Sequence, residues 1–166
     1  MGFLCNVVEA ILFLGFLVIA VFAPTLDAQT CLPSHVFPDF LVDLKKWYTA
    51  EYGDYLTAEK PSFFVGLIWI ELLFQWPLAV VNLYGIVARK SWFSTTCLMY
   101  GVSVLTSMVA ILADMLGSGK ASDKLLGLYY PFLGLAVLSI LRGLVPTATK
   151  TTSGSGRRPL PRNKRD

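Results

Sequence analysis

The chain has 166 residues, of which 55% are hydrophobic and only 15% are charged, and its formal net charge is +3. A soluble domain of this size carries about a quarter charged residues, so this composition excludes an ordinary water-soluble globule and gives no sign of a nucleic-acid-binding domain. Four apolar runs are each long enough to cross a bilayer, near residues 3–26, 62–88, 92–116 and 125–145. The sequence therefore predicts an all-α membrane protein, with a bundle of four transmembrane helices over residues 1–146.

The first apolar run has two interpretations, a retained transmembrane helix and a cleavable signal peptide. It lacks a basic N-terminal region and carries Glu9 instead, and the small-residue cleavage candidate that ends at Ala23 is followed by Pro24. We therefore favour a retained helix. Pro24 is expected to bend or end it shortly before Asp27.

The loop over residues 27–60 is predicted to contain a short amphipathic helix. In PDFLVDLKKWYTAEYGD the apolar residues recur at helical spacing, with Asp39 as a candidate cap and Gly53 as a candidate stop. Lys45 and Lys46 interrupt the apolar residues. The helix could anchor the chain at the membrane interface, where Trp and Tyr are typical, or cover a pocket as a lid, and the sequence favours the anchor.

The second span holds the most unusual polar residues of the chain. Glu71 is the only charged side chain between residues 61 and 88, and Gln75 and Asn82 follow at spacings that place all three on one stripe of a helix. Even lenient scales assign a cost of about 2.5–3.5 kcal/mol to an acid at the centre of a membrane helix. We expect Glu71 to be neutral or paired, with Gln75 as a candidate partner, and Pro77 to kink the helix one turn later.

The charge map leaves few partners for this acid. Arg89, Lys90 and Arg142 lie at the predicted cytosolic edge, where Arg142 can reach water without a partner, so no protein cation is expected inside the membrane. The nearest other acid is Asp27, and two neighbouring carboxyls share a proton and keep one negative charge. Such a charge in an apolar cavity would attract a hydrophobic amine. The candidate aromatic walls are Trp69, Trp76, Tyr129, Tyr130 and Phe132.

An alternative role for Glu71 is a protonated acid that only holds two helices together. We prefer the ligand pocket, because ionisable groups inside membranes are functional by default.

The third and fourth spans are read mainly as packing elements. Small and polar residues recur along one side of the third span, and we expect this stripe to pack against another helix of the bundle or of a second subunit. Its members are Ser103, Ser107, Ala110 and Asp114, with Thr106 beside them. Gly127 and Gly134 predict close packing of the fourth span. The three cysteines, Cys5, Cys31 and Cys97, have no metal-ligand spacing and are expected to be free thiols.

Charge placement predicts the orientation of the four spans. The 27–60 loop carries six acids against three lysines, whereas Arg89, Lys90 and the basic tail of residues 147–166 lie on the other side. By the positive-inside rule both termini are cytosolic, and the 27–60 loop is luminal or external. The tail is too polar to form a core and is expected to be disordered.

Three stretches carry a resemblance to a known family. LDAQTCLP, DLKKWYTAEYGD and IELLFQWP, set on four spans of this length, resemble the EXPERA family of small endoplasmic-reticulum membrane proteins, from about Val8 to Leu144. The family includes ligand-binding receptors and the sterol isomerase called emopamil-binding protein. The resemblance implies a pocket that opens toward the bilayer and holds a sterol or a lipophilic amine.

The resemblance also implies roles for single residues. Asp27 would form the salt bridge to an amine, and Glu71, in its protonated form, would hydrogen-bond to Asp27. Gln75, Tyr129 and Phe132 would line the pocket, although Phe132 stands where the receptors have a second tyrosine.

Further residues are implied to support the pocket or are left without a role. Asp54 would be structural, tied to hydroxyls of the third span near Thr106 and Ser107. Asp114 has no counterpart in the family.

The function we expect is a non-enzymatic receptor for sterols, cholesterol or an oxysterol, and for lipophilic amines, which regulates sterol homeostasis or trafficking. No cofactor, metal or catalytic residue is expected. The resemblance implies location in the endoplasmic reticulum, a homodimer and a cholesterol-transport protein as partner. The alternative is an enzyme similar to the sterol double-bond isomerases. Those enzymes have an additional span and a pocket histidine, whereas the sole histidine here, His35, lies in the 27–60 loop.

Overall fold

The computed structural model describes residues 2–145, and their side chains from Cys5 onward. The predicted tail of residues 147–166 lies outside this part. The helices are α1 (Gly2–Thr25), α2 (Asp39–Tyr52), α3 (Tyr55–Glu59), α4 (Ser62–Ile70), α5 (Trp76–Val87), α6 (Phe93–Ser118) and α7 (Asp123–Leu144). Two 3₁₀ turns at Asp27–Thr30 and Ser34–Val36 follow α1, and a π-helical turn at Glu71–Gln75 joins α4 to α5.

Four of these segments are long and apolar enough to cross a membrane. They are α1 with its 3₁₀ turn, the continuous α4–π–α5 segment, α6 and α7. Most outward side chains are apolar, and Leu73 and Val87 remain 71% and 72% exposed, as expected for a surface that faces lipid. The prediction of an all-α, four-span membrane protein is confirmed. The end of the bundle that carries residues 27–60 is called the outer end below, and the opposite end the inner end.

Close packing of the third and fourth spans depends on two glycines that the sequence did not single out. A Cβ on Gly101 would lie 2.8 Å from backbone atoms of α7, and one on Gly143 would lie 2.7 Å from the backbone nitrogen of Leu98. Neither position accepts a side chain without moving a backbone. Gly127 and Gly134 instead face open space, so their prediction as packing glycines is wrong.

The second span contains a π-helical turn where a proline kink was predicted. The Trp76 N–H donates to the carbonyl of Glu71, five residues back, and Pro77, which has no N–H to donate, follows this turn directly. A π turn accommodates one extra residue in a helix and is common at functional sites. Here it spans the segment from Glu71 to Gln75 and therefore sets the direction of both side chains.

The end of the first span folds back toward the second. Pro24 lies in the last turn of α1, and the 3₁₀ turn Asp27–Thr30 packs against α4. The Gln29 side chain fixes this turn, because its amide donates to the carbonyls of Thr25 at 2.8 Å and Leu41 at 3.1 Å. Asp27 is thereby held between the first two spans.

The two short helices of the outer loop cover the outer end of the bundle. α2 begins at Asp39 itself, so this residue lies in the first turn rather than at the cap, whereas Gly53 ends the helix at φ 63° as predicted. The N-cap of α3 is Asp54, whose Oδ1 accepts the backbone N–H groups of Leu56 at 3.1 Å and Thr57 at 3.2 Å. Capping of this kind fixes where α3 starts over the bundle.

Buried polar contacts join the spans near the inner end. Arg142 is only 7% exposed, and its Nη2 and Nε lie 2.7 and 3.0 Å from one carboxylate oxygen of Glu9. The prediction that Arg142 needs no partner is therefore wrong, because α1 supplies an acid at the same depth. Asn82, fully buried, accepts the Thr96 hydroxyl at 2.6 Å and so binds the second span to the third rather than facing a pocket.

Candidate functional site

A cavity of about 280 Å³ lies in the outer half of the bundle, between all four spans and the α2–α3 cover. Small-molecule sites usually measure about 300–1,000 Å³, so this one is slightly below that range. Its walls are mostly aliphatic and aromatic. Its polar lining comprises Asp27, Lys45, Tyr48, Thr57, Glu71, Gln75, Tyr100, Ser107 and Tyr129.

Five residues proposed as ligand contacts on sequence grounds meet in this one cavity. They are Asp27, Glu71, Gln75, Tyr129 and Phe132. They are far apart in sequence and come from spans 1, 2 and 4. Of the other candidate aromatic residues, Trp69 and Tyr130 are exposed on the outside, and Trp76 donates its indole N–H to the carbonyl of Ala20 at 3.1 Å. None of these three lines the cavity.

Two carboxyls face the cavity from different spans. Asp27 comes from the 3₁₀ turn after α1, and Glu71 from the π turn of the second span. An ionised carboxyl is costly in apolar surroundings, and two carboxyls that share a site favour a state in which one keeps a proton. The arrangement can therefore present one negative charge together with one O–H donor.

Gln75 supports the wall of the cavity instead of pairing with Glu71. Its Nε2 donates to the hydroxyls of Ser103 at 3.0 Å and Ser107 at 3.1 Å. Two members of the small-residue stripe of the third span thus contact the second span. Since the amide donors of Gln75 are engaged there, the expected hydrogen bond from Gln75 to Glu71 is not formed.

Asp54 lies behind the cavity and holds two tyrosines in place. Its Oδ2 accepts the hydroxyls of Tyr48 and Tyr129, each at 3.0 Å, and the residue is fully buried. Burial, together with the neighbouring Asp54 charge, raises the pKa of Tyr48, so this phenol remains a neutral donor. The implied link from Asp54 to Thr106 and Ser107 is wrong, because Thr106 points outward and bonds its own helix, and Ser107 accepts from Gln75.

Lys45 is a cavity residue that the sequence did not reveal. Its Nζ donates to the carbonyl of Leu26 at 3.1 Å and to Thr30 Oγ1 at 2.7 Å, next to Asp27. Burial lowers the pKa of Lys45 to about 8, although the nearby Asp27 charge partly opposes the shift. The charge map did not anticipate this cation near Asp27, which α2 brings from the outer loop, although its hydrogen bonds go to Leu26 and Thr30 rather than to a carboxyl.

The placement of Lys45 decides the role of α2. Lys45 and Tyr48, three residues apart, line the cavity from one side of the helix, while Phe40 and Trp47 are 68% and 58% exposed on the other. α2 therefore covers the cavity, as the lid interpretation predicts. Its outward apolar side also suits the membrane interface. The spacing of Lys45 and Tyr48 places both residues on one face of a helix, but the sequence does not show that this face meets a cavity.

Tyr100 is a second cavity residue that the sequence did not reveal. It lines the cavity from the middle of the third span, and its ring packs edge-to-face on Phe16 at 4.9 Å. Among the described residues its buried hydroxyl has no hydrogen-bond partner. A buried hydroxyl without a partner is costly, so this group is suited to meet a polar atom of a ligand.

Comparison with known protein families identifies one that matches most of the described chain. A family model described as EXPERA (EXPanded EBP superfamily) matches residues 40–143. The matched range contains Lys45, Asp54 and Glu71, whereas Asp27 precedes it.

Curated relatives include proteins named Sigma intracellular receptor 2. The chain is 30% identical to that of Xenopus tropicalis over 128 residues, which cover 69% of this chain and 75% of the relative. It is 32% identical to that of Macaca fascicularis over 107 residues, 64% of this chain and 59% of the relative. It is also 32% identical to that of Homo sapiens over 92 residues, 55% of this chain and 52% of the relative.

Proposed function

The chain belongs to the EXPERA family, and from this premise we propose that it is a non-enzymatic binding protein for sterols and lipophilic amines inside the membrane. The observation that carries the proposal is the meeting of Asp27 and Glu71 in one apolar cavity, which all four spans enclose. Its relatives named as receptors support the same interpretation.

The amine part of the proposal follows from charge. The ammonium group of a lipophilic ligand can form a direct, charge-assisted hydrogen bond with a carboxylate of the pair, while the ligand's apolar body fills the walls. Asp27 lies at the outer end of the cavity and takes the salt bridge. Glu71 keeps its proton and donates to Asp27.

The sterol part follows from the remaining lining. Fused rings suit walls of leucine, isoleucine, valine and phenylalanine, and a sterol hydroxyl needs only one or two polar partners. Tyr100 offers a hydroxyl that has no hydrogen-bond partner among residues 5–145, and Glu71 and Ser107 lie on neighbouring walls. Cholesterol or an oxysterol therefore suits this cavity as the natural ligand, and we propose a role in sterol homeostasis or trafficking.

Binding of a tritiated lipophilic amine to the purified full-length protein tests the proposal. We expect Asp27→Asn to abolish binding and Glu71→Gln to weaken it strongly, since each removes one member of the carboxyl pair. Asp43→Asn is the matched control, because Asp43 is an exposed acid of α2 that pairs with Lys46 on the surface. An Asp27→Asn protein that melts like the wild type and retains its affinity would refute the proposed pocket.

A receptor explains the structure better than a sterol double-bond isomerase. His35 is exposed in the 3₁₀ turn Ser34–Val36 and does not line the cavity, so it cannot serve as an acid or base there. Expression in a yeast strain that lacks its sterol isomerase separates the two functions. We expect its sterols to remain unchanged, and restored double-bond isomerisation would favour the enzyme.

We further propose that the protein lies in the endoplasmic-reticulum membrane with both termini in the cytosol. The acid-rich loop at the outer end and the basic residues of the 88–90 turn support this orientation. We also propose that the protein forms a homodimer and that a cholesterol-transport protein is its partner.

A further inference from the structure

The cavity contains its own cation, which is unusual for a site that takes cationic ligands. Lys45 enters from α2, and both of its hydrogen bonds go to the segment that carries Asp27, namely to Leu26 and Thr30. Its ammonium therefore lies beside the acid to which we assign the amine. Lys46, the next residue, points outward and pairs with Asp43 on the surface.

We propose that Lys45 determines the ligand selectivity of the cavity: it acts as an internal counter-ion for the carboxyl pair and disfavours cationic amines relative to uncharged sterols. The inference rests on the proposed function and deepens it. It identifies the preferred ligand as a neutral sterol, and an amine as a ligand that must bind against Lys45.

The charges of the unliganded cavity balance one another. A single carboxylate from Asp27 and Glu71 and a single ammonium from Lys45 give no net charge, so the empty cavity needs no external cation. An uncharged sterol leaves this balance intact. A bound ammonium adds a second positive charge a few ångströms from Lys45, in surroundings where charges are weakly screened.

The hydrogen bonds of Lys45 keep its ammonium close to the place that a bound amine would take. Its ammonium is fixed by two acceptors of the α1 end and cannot turn fully into water while α2 covers the cavity. An amine ligand must therefore accept the repulsion, displace the lysine together with part of the lid, or bind after Lys45 has lost its proton. Each of these changes costs free energy, and an uncharged sterol binds without that cost.

The repulsion between Lys45 and an amine ligand depends on pH, because Lys45 can lose its proton. The charged and titratable groups that act on Lys45 are Asp27 and Asp54, which favour its proton, and Lys60, which opposes it, with Cys31 nearby. Burial outweighs them and sets the pKa of Lys45 at about 8. Below that pH Lys45 is a cation that repels the amine, and above it the repulsion is lost. An amine that stays protonated to about pH 9 should therefore bind more tightly as the pH rises.

Deprotonation of the carboxyl pair would change amine binding in the same direction, so pH alone does not isolate Lys45. The test compares variants of the full-length protein in lipid nanodiscs, with a tritiated lipophilic amine and a tritiated oxysterol as probes. Lys45→Met removes the charge and keeps an apolar stem, Lys45→Arg keeps the charge, and Lys46→Met is the matched control.

We expect Lys45→Met to bind the amine about tenfold more tightly near pH 7, because one like charge has left a weakly screened site. Its oxysterol affinity should not rise, because Lys45 does not repel an uncharged ligand, and its gain in amine affinity should shrink toward pH 9. Lys45→Arg should retain the low amine affinity at both pH values, and Lys46→Met should match the wild type.

Unchanged or weaker amine binding by Lys45→Met, in a protein that still binds oxysterol, would overturn the inference about Lys45 alone. Loss of both ligands by Lys45→Met, with Lys45→Arg intact, would show a structural role and would also overturn it. If the wild-type protein binds neither probe, the proposed function fails as well, so the two failures are distinguishable.

Discussion

Replacement of Glu9 by glutamine tests how the inner end of the bundle is held together. The carboxylate of Glu9 receives two N–H groups of Arg142, at 2.7 and 3.0 Å, and the Glu9→Gln substitution would keep the size of the side chain but remove its charge. Arg142 would then depend on weaker contacts. These are the Ser94 hydroxyl and the Val145 carbonyl, both at 3.4 Å, and the Phe93 ring, whose centroid is 5.1 Å away.

The magnitude follows from the burial of the pair. Removing one partner of a buried ion pair costs about 3–5 kcal/mol, because the remaining charge is left without compensation. Arg142 keeps some contacts, and the Glu9 side chain is 27% exposed, so we expect a smaller loss, about 2–3 kcal/mol. For a chain of this length that loss corresponds to a melting temperature lower by roughly 4–12 °C.

Thermal unfolding of the detergent-solubilised protein measures the effect. The double variant Glu9→Leu/Arg142→Met should recover most of the loss, since apolar residues of similar size replace a buried ion pair at little net cost. Arg89→Gln is the control for simple charge removal at the inner end, because Arg89 is exposed. A Glu9→Gln protein that melts with the wild type, or a double variant that is less stable than Glu9→Gln, would refute the reasoning.

Two further substitutions test the supports of the cavity and the packing of the spans. Asp54→Asn should lower the free energy of unfolding by about 1–3 kcal/mol, because an amide nitrogen cannot accept the hydrogen bonds of the buried carboxylate. It should also weaken amine binding, since the two tyrosines that Asp54 holds lose their acceptor, and unchanged stability and affinity would contradict this role. Gly101→Ala should destabilise by about 1 kcal/mol or more, because its Cβ would meet the backbone of α7. Gly134→Ala, in open space, should be neutral or stabilising, and comparable melting temperatures for the two variants would contradict the packing.

The sequence alone determined the class of the fold and the unusual acids. Each apolar run spans the bilayer only as a helix, because lipid offers no partner to an open backbone, and so run length gave four spans. Charged residues are rare in such runs, which made Glu71 conspicuous without any structure. The charge map then pointed to Asp27 as the nearest other acid, and the family resemblance implied its salt bridge to an amine, although Asp27 precedes the residues that the family model matches.

Only the tertiary structure decided which residues surround the polar and charged side chains. Helical periodicity tells which side chains share a face, but it does not tell which face meets which, so the partners of Gln75, Asp54 and Arg142 were predicted wrongly or not at all. Gly101 and Gly134 look alike in sequence, and only one lies against a backbone. Lys45 belongs to an outer loop in sequence, and the fold of α2 over the bundle brings its charge beside Asp27. This placement depends on the packing of distant parts of the chain, and the local sequence does not encode it.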